Sequence, residues 1–315
     1  MTAANGERRA LVTQIRREAD GVVSLRLEDP DGAALPEWEP GAHLDLRLPS
    51  GAVRQYSLCG DPADASAYTV AVLREEAGRG GSAEIHDTAL VGREVTIRGP
   101  RNRFPLVPAP AYCFVAGGIG ITPILGMIRR LAAGDVPWTL HYGGRSLPSM
   151  AFRDVLAEWG AGRVEFLPED ETGRLPLDEI LAAAPAGAAV YTCGPPGLIR
   201  AMEQRVGAAL HFERFTGEAQ PENDEDTETF EVELARSGDI VRVPPGESIL
   251  DVVRAVRPEV MSSCEEGFCG TCETKVLAGV PEHRDTILTA ADRERNATMM
   301  ICVGRSRSPR LVLDL

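Results

Sequence analysis

Cys264-Glu265-Glu266-Gly267-Phe268-Cys269-Gly270-Thr271-Cys272, answered by Cys302, is the stretch on which the reading of this chain turns. The pattern is C-x4-C-x2-C…C, a spacing that holds a [2Fe–2S] cluster. Each iron takes two thiolates, and the loop must wrap closely round the inorganic sulfides. Gly267 and Gly270 suit that wrap, because glycine reaches backbone conformations closed to other residues and lets amide N–H groups approach sulfur. The alternative is a structural zinc site with four cysteine ligands. Such sites usually show two C-x2–4-C pairs, whereas here the fourth cysteine stands alone.

Around these cysteines the chain resembles the plant-type ferredoxin family, over roughly its last ninety residues. That resemblance makes Cys264, Cys269, Cys272 and Cys302 the four cluster ligands. Phe230–Ala235 and Asp239–Val243 read as a hairpin over Ser237-Gly238, and Ile249–Val256 as a helix. Glu273–Leu277 and Arg310–Leu313 read as later strands. A mixed sheet with one helix and a long cysteine loop fits a β-grasp [2Fe–2S] ferredoxin domain. His283, in Glu282-His283-Arg284-Asp285, is a cluster ligand only in a Rieske-like site, which needs two histidines. It reads as a structural or docking residue.

Such a domain needs a source of electrons, and the rest of the chain has room for one. A length of 315 residues suits two or three domains of roughly 100–150 residues each. Hydrophobic content of 43% and charged content of 25% are the balance of an ordinary soluble globular protein. No apolar run approaches the ~20 residues that span a bilayer, so no membrane partner is expected. Met1 to Arg9 is polar and lacks the apolar core of a signal peptide. Cys59, Cys113 and Cys193 show no pairing pattern, which points to a cytoplasmic chain with reduced thiols.

The net charge of −14 argues against nucleic acid, which needs a basic face. The charge is unevenly spread. Residues 1–215 carry 22 basic and 27 acidic side chains, and residues 228–315 carry 11 and 15. Between them, residues 216–227 have no basic residue and five acidic ones. A segment so acidic and so poor in apolar residues cannot bury enough surface to fold, and it reads as an interdomain linker. The expected organisation is a flavin-binding β-barrel over 1–106, a nucleotide-binding α/β domain over 107–215, the linker 216–227, and the ferredoxin domain 228–315.

Residues 9–105 alternate as strands do. Ala10–Ile15 pairs with Val22–Glu28 around Asp20-Gly21, and His43–Leu48 pairs with Val53–Leu58 through Pro49-Ser50-Gly51. Tyr68–Arg74 and Glu94–Ile97 follow, so the region reads as a small antiparallel barrel. Two stretches in it carry chemistry. In Arg54-Gln55-Tyr56-Ser57-Leu58, strand alternation points Arg54 and Tyr56 to one face and Ser57 to the other unless the chain bends. In Gly78-Arg79-Gly80-Gly81-Ser82, a glycine turn opening a helix presents free N–H groups to a phosphate.

From Ala111 the pattern changes to alternating strands and helices, which means a parallel sheet with nucleotide binding at the strand C-termini. The strands are Tyr112–Ala116, Trp138–Tyr142, Arg163–Leu167 and Ala188–Thr192. Helices fall at Ile124–Ala133, Ala151–Trp159, Leu177–Ala183 and Gly197–Ala209. The first strand runs into Gly118-Ile119-Gly120-Ile121-Thr122-Pro123, a G-x-G-x-x-P turn. Cys193-Gly194-Pro195-Pro196 ends the last clear strand, and buried packing is the plain alternative for Cys193.

Together, Arg-x-Tyr-Ser and Gly-Arg-Gly-Gly-Ser ahead of this sheet resemble the ferredoxin–NADP reductase superfamily. The whole chain is most similar to the phthalate dioxygenase reductase branch, which places a ferredoxin domain C-terminally. The resemblance implies that Arg54, Tyr56 and Ser57 contact a flavin, with Tyr56 stacked on its ring. It lays the backbone of Leu73 and Arg74 along that ring and gives Arg79, Gly80, Gly81 and Ser82 its phosphate. FMN is implied rather than FAD. Cys193, Gly194 and Pro195 are implied at the nicotinamide, Thr122 near the nicotinamide or the flavin, and Phe215 against the flavin, while Gly118 and Gly120 belong to the cofactor-binding turn. Ser57 and Cys193 are then the residues nearest the chemistry. Arg145 is the candidate for a 2′-phosphate grip, while Asp170 and Glu171 oppose one, and the balance leans to NADH over NADPH.

NAD(P)H gives up two electrons together, and a [2Fe–2S] cluster takes one at a time. A flavin reconciles the two, and the protein positions and tunes the cofactors. The chain therefore reads as an NAD(P)H-dependent oxidoreductase that passes electrons through flavin and cluster to a Rieske-type oxygenase. A cytochrome P450 is the alternative acceptor. From a different class, the rival is an iron–sulfur redox sensor or binding module with no NAD(P)H turnover.

Overall fold

The computed structural model describes residues 6–76, 78–160, 162–215 and 228–315. The proposed linker, 216–227, lies outside the described residues. The chain forms two compact units, Met1–Arg214 and Phe215–Leu315.

In the first unit, six antiparallel strands come from the alternating region. They are β1 (Glu7–Ala19), β2 (Val22–Glu28), β3 (Ala42–Arg47), β4 (Val53–Ser57), β5 (Ala67–Leu73) and β6 (Glu94–Asn102). Their order is β4-β3-β6-β1-β2-β5, and a bridge between Leu58 and Val70 joins the two outer strands, closing the sheet towards a barrel. Alternation sets the interior. On β3, Ala42, Leu44 and Leu46 join the buried core with Leu25, Leu27, Val70 and Val72. His43 and Asp45 point to the other face and are also buried, because the α/β half covers that face. A short helix, α1 (Gly81–Asp87), follows the glycine turn.

The α/β half has a five-stranded parallel sheet in the order β11-β10-β7-β8-β9. Its strands are β7 (Ala111–Gly117), β8 (Trp138–Gly144), β9 (Val164–Pro168), β10 (Ala188–Cys193) and β11 (Leu210–Glu213). All seven residues of β7 are buried, as a central parallel strand covered on both faces requires. The helices are α2 (Ile121–Ala132), α3 (Arg153–Trp159), α4 (Glu169–Thr172), α5 (Leu177–Ala182) and α6 (Pro196–Val206). One strand escaped the sequence reading. β11 is four residues long and carries His211 and Glu213, too short and too polar to register as a periodic pattern.

The second unit has a mixed sheet in the order β13-β12-β18-β14-β16. Its strands are β12 (Phe230–Leu234), β13 (Ile240–Val243), β14 (Glu273–Ala278), β16 (Thr298–Met300) and β18 (Arg310–Leu313), with a small pair β15 (Pro281–Glu282) and β17 (Arg305–Ser306) beside it. Helix α7 (Ile249–Val256) starts at Ser248, whose Oγ accepts the Asp251 amide at 3.1 Å, and buries Ile249, Leu250 and Val253 against the sheet. A second helix, α8 (Ala290–Arg295), adds to the single one expected from sequence. It is polar throughout and held by a Thr289–Asp292 capping box, so it has no apolar stripe to reveal it. Among the described residues, no helix is long and apolar enough to cross a membrane.

Candidate functional sites

In the first unit the expected cofactor residues converge from separate elements. Arg54 leaves β4 and donates from Nη2 to the Arg79 carbonyl at 2.6 Å and from Nη1 to the Val53 carbonyl at 2.8 Å. A Cβ on Gly81 would stand 2.6 Å from Arg54 Nε, so only glycine there lets the guanidinium cross the turn. Gly80 has φ 78°, the left-handed region that glycine enters freely. Ser82 Oγ accepts the Glu75 amide at 3.0 Å and ties the turn to the end of β5. The Arg74 guanidinium is occupied by Glu76 and Asp87, which leaves Arg74 only its backbone for other work. Tyr56 is half-buried and packs against the barrel core.

The two glycine turns of the parallel sheet press together. A Cβ on Gly120 would lie 2.3 Å from the Cys193 carbonyl oxygen, and one on Gly117 would lie 2.7 Å from Pro195 Cδ. Gly117, Gly120, Cys193, Gly194 and Pro195 therefore share one tight seam at the strand C-termini, where such sheets bind ligands, while a Cβ on Gly118 would meet nothing within 4 Å. Thr122 is buried, and its hydroxyl donates to the Ile119 carbonyl at 3.0 Å inside the turn. The Cys193 thiol is fully buried. Burial first, and the Glu213 carboxylate second, push its pKa well above the ordinary thiol value, so it stays protonated.

Two residues join this site that sequence reasoning did not single out. Glu213, the last residue of β11, pairs with Cys193 across the parallel sheet. Its Oε2 accepts from Ser57 Oγ at 3.3 Å, which links the barrel to the sheet. His43 lies opposite Ser57 on β3, with Nδ1 3.7 Å from Glu213 Oε1. Neither had a local motif. Arg145 is exposed at the end of β8, and its carbonyl accepts the Asp170 amide at 3.2 Å, so the acidic first turn of α4 stands beside it. Phe215 is half-buried at the start of the second unit.

In the second unit the four expected ligands lie together and buried. Cys264 contacts Cys269 and Cys302, and Cys272 Sγ lies 3.2 Å from Cys302 Sγ. Amides turn inward on them: Glu266 N–H points to Cys264 Sγ at 3.4 Å, and Thr271 N–H to Cys269 Sγ at 3.4 Å. Gly267 has φ 74°, and a Cβ there would meet Val303 Cγ2 at 2.7 Å. Outside the loop, Arg254 on α7 holds Ser262 and Glu265, and the Thr286 amide donates to the Gly267 carbonyl at 3.0 Å. Among the described residues, no group of three or more His, Cys, Asp and Glu is spaced to hold a single metal ion. Four crowded thiols on a wrapped loop with inward amides fit a cluster that brings its own sulfides. His283 bonds Asn296 through Nε2 at 3.0 Å, a structural placement.

Two family models match parts of the chain. Residues 114–204 match the family described as an oxidoreductase NAD-binding domain, and residues 232–306 the family described as a 2Fe-2S iron-sulfur cluster binding domain. The phenoxybenzoate dioxygenase subunit beta of Ectopseudomonas oleovorans is 45% identical, over 94% of each chain. The crystal structure of phthalate dioxygenase reductase, described as a modular structure for electron transfer from pyridine nucleotides to [2Fe–2S], is 37% identical. It superposes with a TM-score of 0.72, over 98% of each chain. An intact type IV self-sufficient cytochrome P450 monooxygenase is 39% identical, with a TM-score of 0.87. The match covers 98% of this chain but only 41% of that one.

Proposed function

We propose a function for these sites from the family to which the chain belongs: it is a member of the phthalate dioxygenase reductase-like branch of the ferredoxin–NADP reductase superfamily. It is an NAD(P)H-dependent oxidoreductase with a [2Fe–2S] domain. In our reading it carries FMN, oxidises NADH, and delivers electrons singly to a Rieske-type oxygenase in the cytoplasm. The observation that carries this reading is the 3.3 Å contact between Ser57 and Glu213. It joins the barrel residue expected at the flavin to the sheet residue paired with Cys193, expected at the nicotinamide.

Each group of residues has a separate task. Arg54 and the turn Arg79–Ser82 hold the flavin phosphate, by a charge-assisted contact and by open backbone N–H groups. Tyr56 offers a flat wall. Gly118 leaves the turn open to the nucleotide, and the seam of Gly120, Cys193, Gly194 and Pro195 orients the nicotinamide and excludes water, while the neutral Cys193 thiol adds no competing charge. Cys264, Cys269, Cys272 and Cys302 hold the cluster, and Arg254 and Thr286 brace its loop. When bound, the flavin supplies the change from paired to single electrons. The acidic turn Glu169–Glu171 beside Arg145 disfavours a 2′-phosphate, which supports NADH.

The test is the purified chain itself. The visible spectrum should combine flavin and ferredoxin absorbance, the extracted flavin should run as FMN, and iron and sulfide should be equal. Colourless protein containing zinc would refute the whole reading, whereas FAD would refute only the choice of flavin. A P450 acceptor is the second reading, favoured by the close superposition on a P450 fusion. Reconstitution with each kind of oxygenase separates the two.

A further inference from the structure

The barrel face turned to the parallel sheet buries a histidine that the reading above does not use. His43 is 2% exposed, and neither ring nitrogen has a hydrogen-bond partner among the described residues. A buried imidazole in that state is costly, and a polar gap just beyond 3.5 Å is commonly closed by a small rotation or by one water. Few groups surround it. Across β3–β4 stands Ser57, and across β3–β6 stands Arg101, whose guanidinium is already bonded to Asp45 at 2.8 Å. From the sheet comes Glu213, whose Oε1 is 3.7 Å from Nδ1. Glu213 is therefore the partner within reach.

We propose that His43 is a positioning residue for hydride transfer: it holds Glu213 so that the other carboxylate oxygen takes the hydroxyl hydrogen of Ser57. This rests on the reading of Ser57 as the flavin contact nearest the chemistry, which would set its hydroxyl against N5, the atom that takes hydride. In the structure Ser57 Oγ is the donor to Glu213 Oε2, at 3.3 Å. Ser57 then has only lone pairs to present to the flavin. Oxidised flavin N5 is itself an acceptor and gains nothing from them. When bound, the flavin would take hydride with its electron pair from NADH, leaving NAD+, and would gain at N5 an N–H that Ser57 is placed to accept. The fixed polarity of Ser57 thus favours the product side, a differential interaction of the kind that speeds a step. His43 sets that polarity through Glu213 without touching either reactant.

The experiment uses the full-length holoenzyme with His43→Leu, His43→Asn, Glu213→Gln and the His43→Leu/Glu213→Gln double variant. Two quantities are read: the flavin midpoint potential by spectroelectrochemical titration, and the limiting rate of flavin reduction apart from the NADH half-saturation concentration. With His43→Leu the potential should fall and the limiting rate drop about tenfold, a positioning loss, while half-saturation stays nearly constant. His43→Asn, which keeps a side-chain donor, should recover most of both. In the Glu213→Gln background, His43→Leu should add nothing further, because the two residues act through one contact. If His43→Leu does not fold, failure of His43→Asn to stay closer to wild type than Glu213→Gln overturns the proposal. A flavin-replete His43→Leu enzyme with unchanged potential and rate overturns it as well, as do single effects that multiply in the double variant. Wild-type protein without flavin absorbance would instead overturn the reading beneath it.

Discussion

The cysteine loop and the Ser57–Glu213 seam differ in how they are written into the chain. Three of the four cysteines sit within nine residues, and their spacing alone states the chemistry. The seam draws on β3, β4, the turn before α1, the turn after β7, the end of β10 and the end of β11. No window of sequence holds it. One site is a local motif held by its own loop, and the other exists only where two folded layers meet. Perturbing the first should remove a cofactor outright, whereas perturbing the second should grade the rate.

The largest contrast comes from Cys302→Ser. Losing one thiolate should destroy the cluster, so EPR signal and iron content fall and cytochrome c reduction is lost. NADH-driven ferricyanide reduction should persist, because the seam lies in the other unit. Unchanged iron and EPR would break the contrast. Next is Gly120→Ala. A Cβ 2.3 Å from a backbone carbonyl cannot be relieved by a rotamer, so the turns must part. A displacement of about 1 Å there should slow flavin reduction about 10²-fold with cluster absorbance intact. Near-normal flavin reduction in that variant would show that the nicotinamide does not use the seam.

Removing the Arg54 or Arg79 side chain should act more gently. Loss of one charge-assisted contact is worth about 1.5–3 kcal/mol, or roughly ten- to a hundredfold in flavin affinity. Arg54→Ala should be the worse of the two, since its guanidinium also ties β4 to the Arg79 carbonyl. Fluorescence titration of flavin into stripped protein checks the ranking. The smallest effect is expected at Arg145. With the acidic turn beside it, Arg145→Ala should change kcat/KM for NADH only a few-fold, an exposed-charge effect. A large loss with NADPH as substrate would show that Arg145 does grip a 2′-phosphate.

These differences explain what was legible in the sequence. The barrel and the parallel sheet followed from periodicity and turn residues, because each buries an apolar face with a regular repeat, whereas the ferredoxin-like unit followed from its cysteine spacing and the resemblance that spacing carries. The G-x-G-x-x-P and Cys-Gly-Pro turns were visible as motifs, and their mutual contact follows from the topology that places β10 next to β7. Glu213 was hidden because β11 is four residues long and shows no alternation to anchor it. His43 was hidden because its neighbours Ala42 and Leu44 made the strand look like ordinary barrel wall. Its face became buried only when the second layer covered it. Helix α8 was hidden for the opposite reason, having no apolar face at all.

The bridge between Leu58 and Val70 carries one more implication. A closed sheet offers no unpaired row of N–H and C=O groups to another chain. The second unit ends in two open strands, and on one of them Ile240 is half exposed to water. The parallel sheet also has two edges, β11 and β9, so the barrel alone is sealed against edge-to-edge addition, and the part that must capture iron shares the exposure.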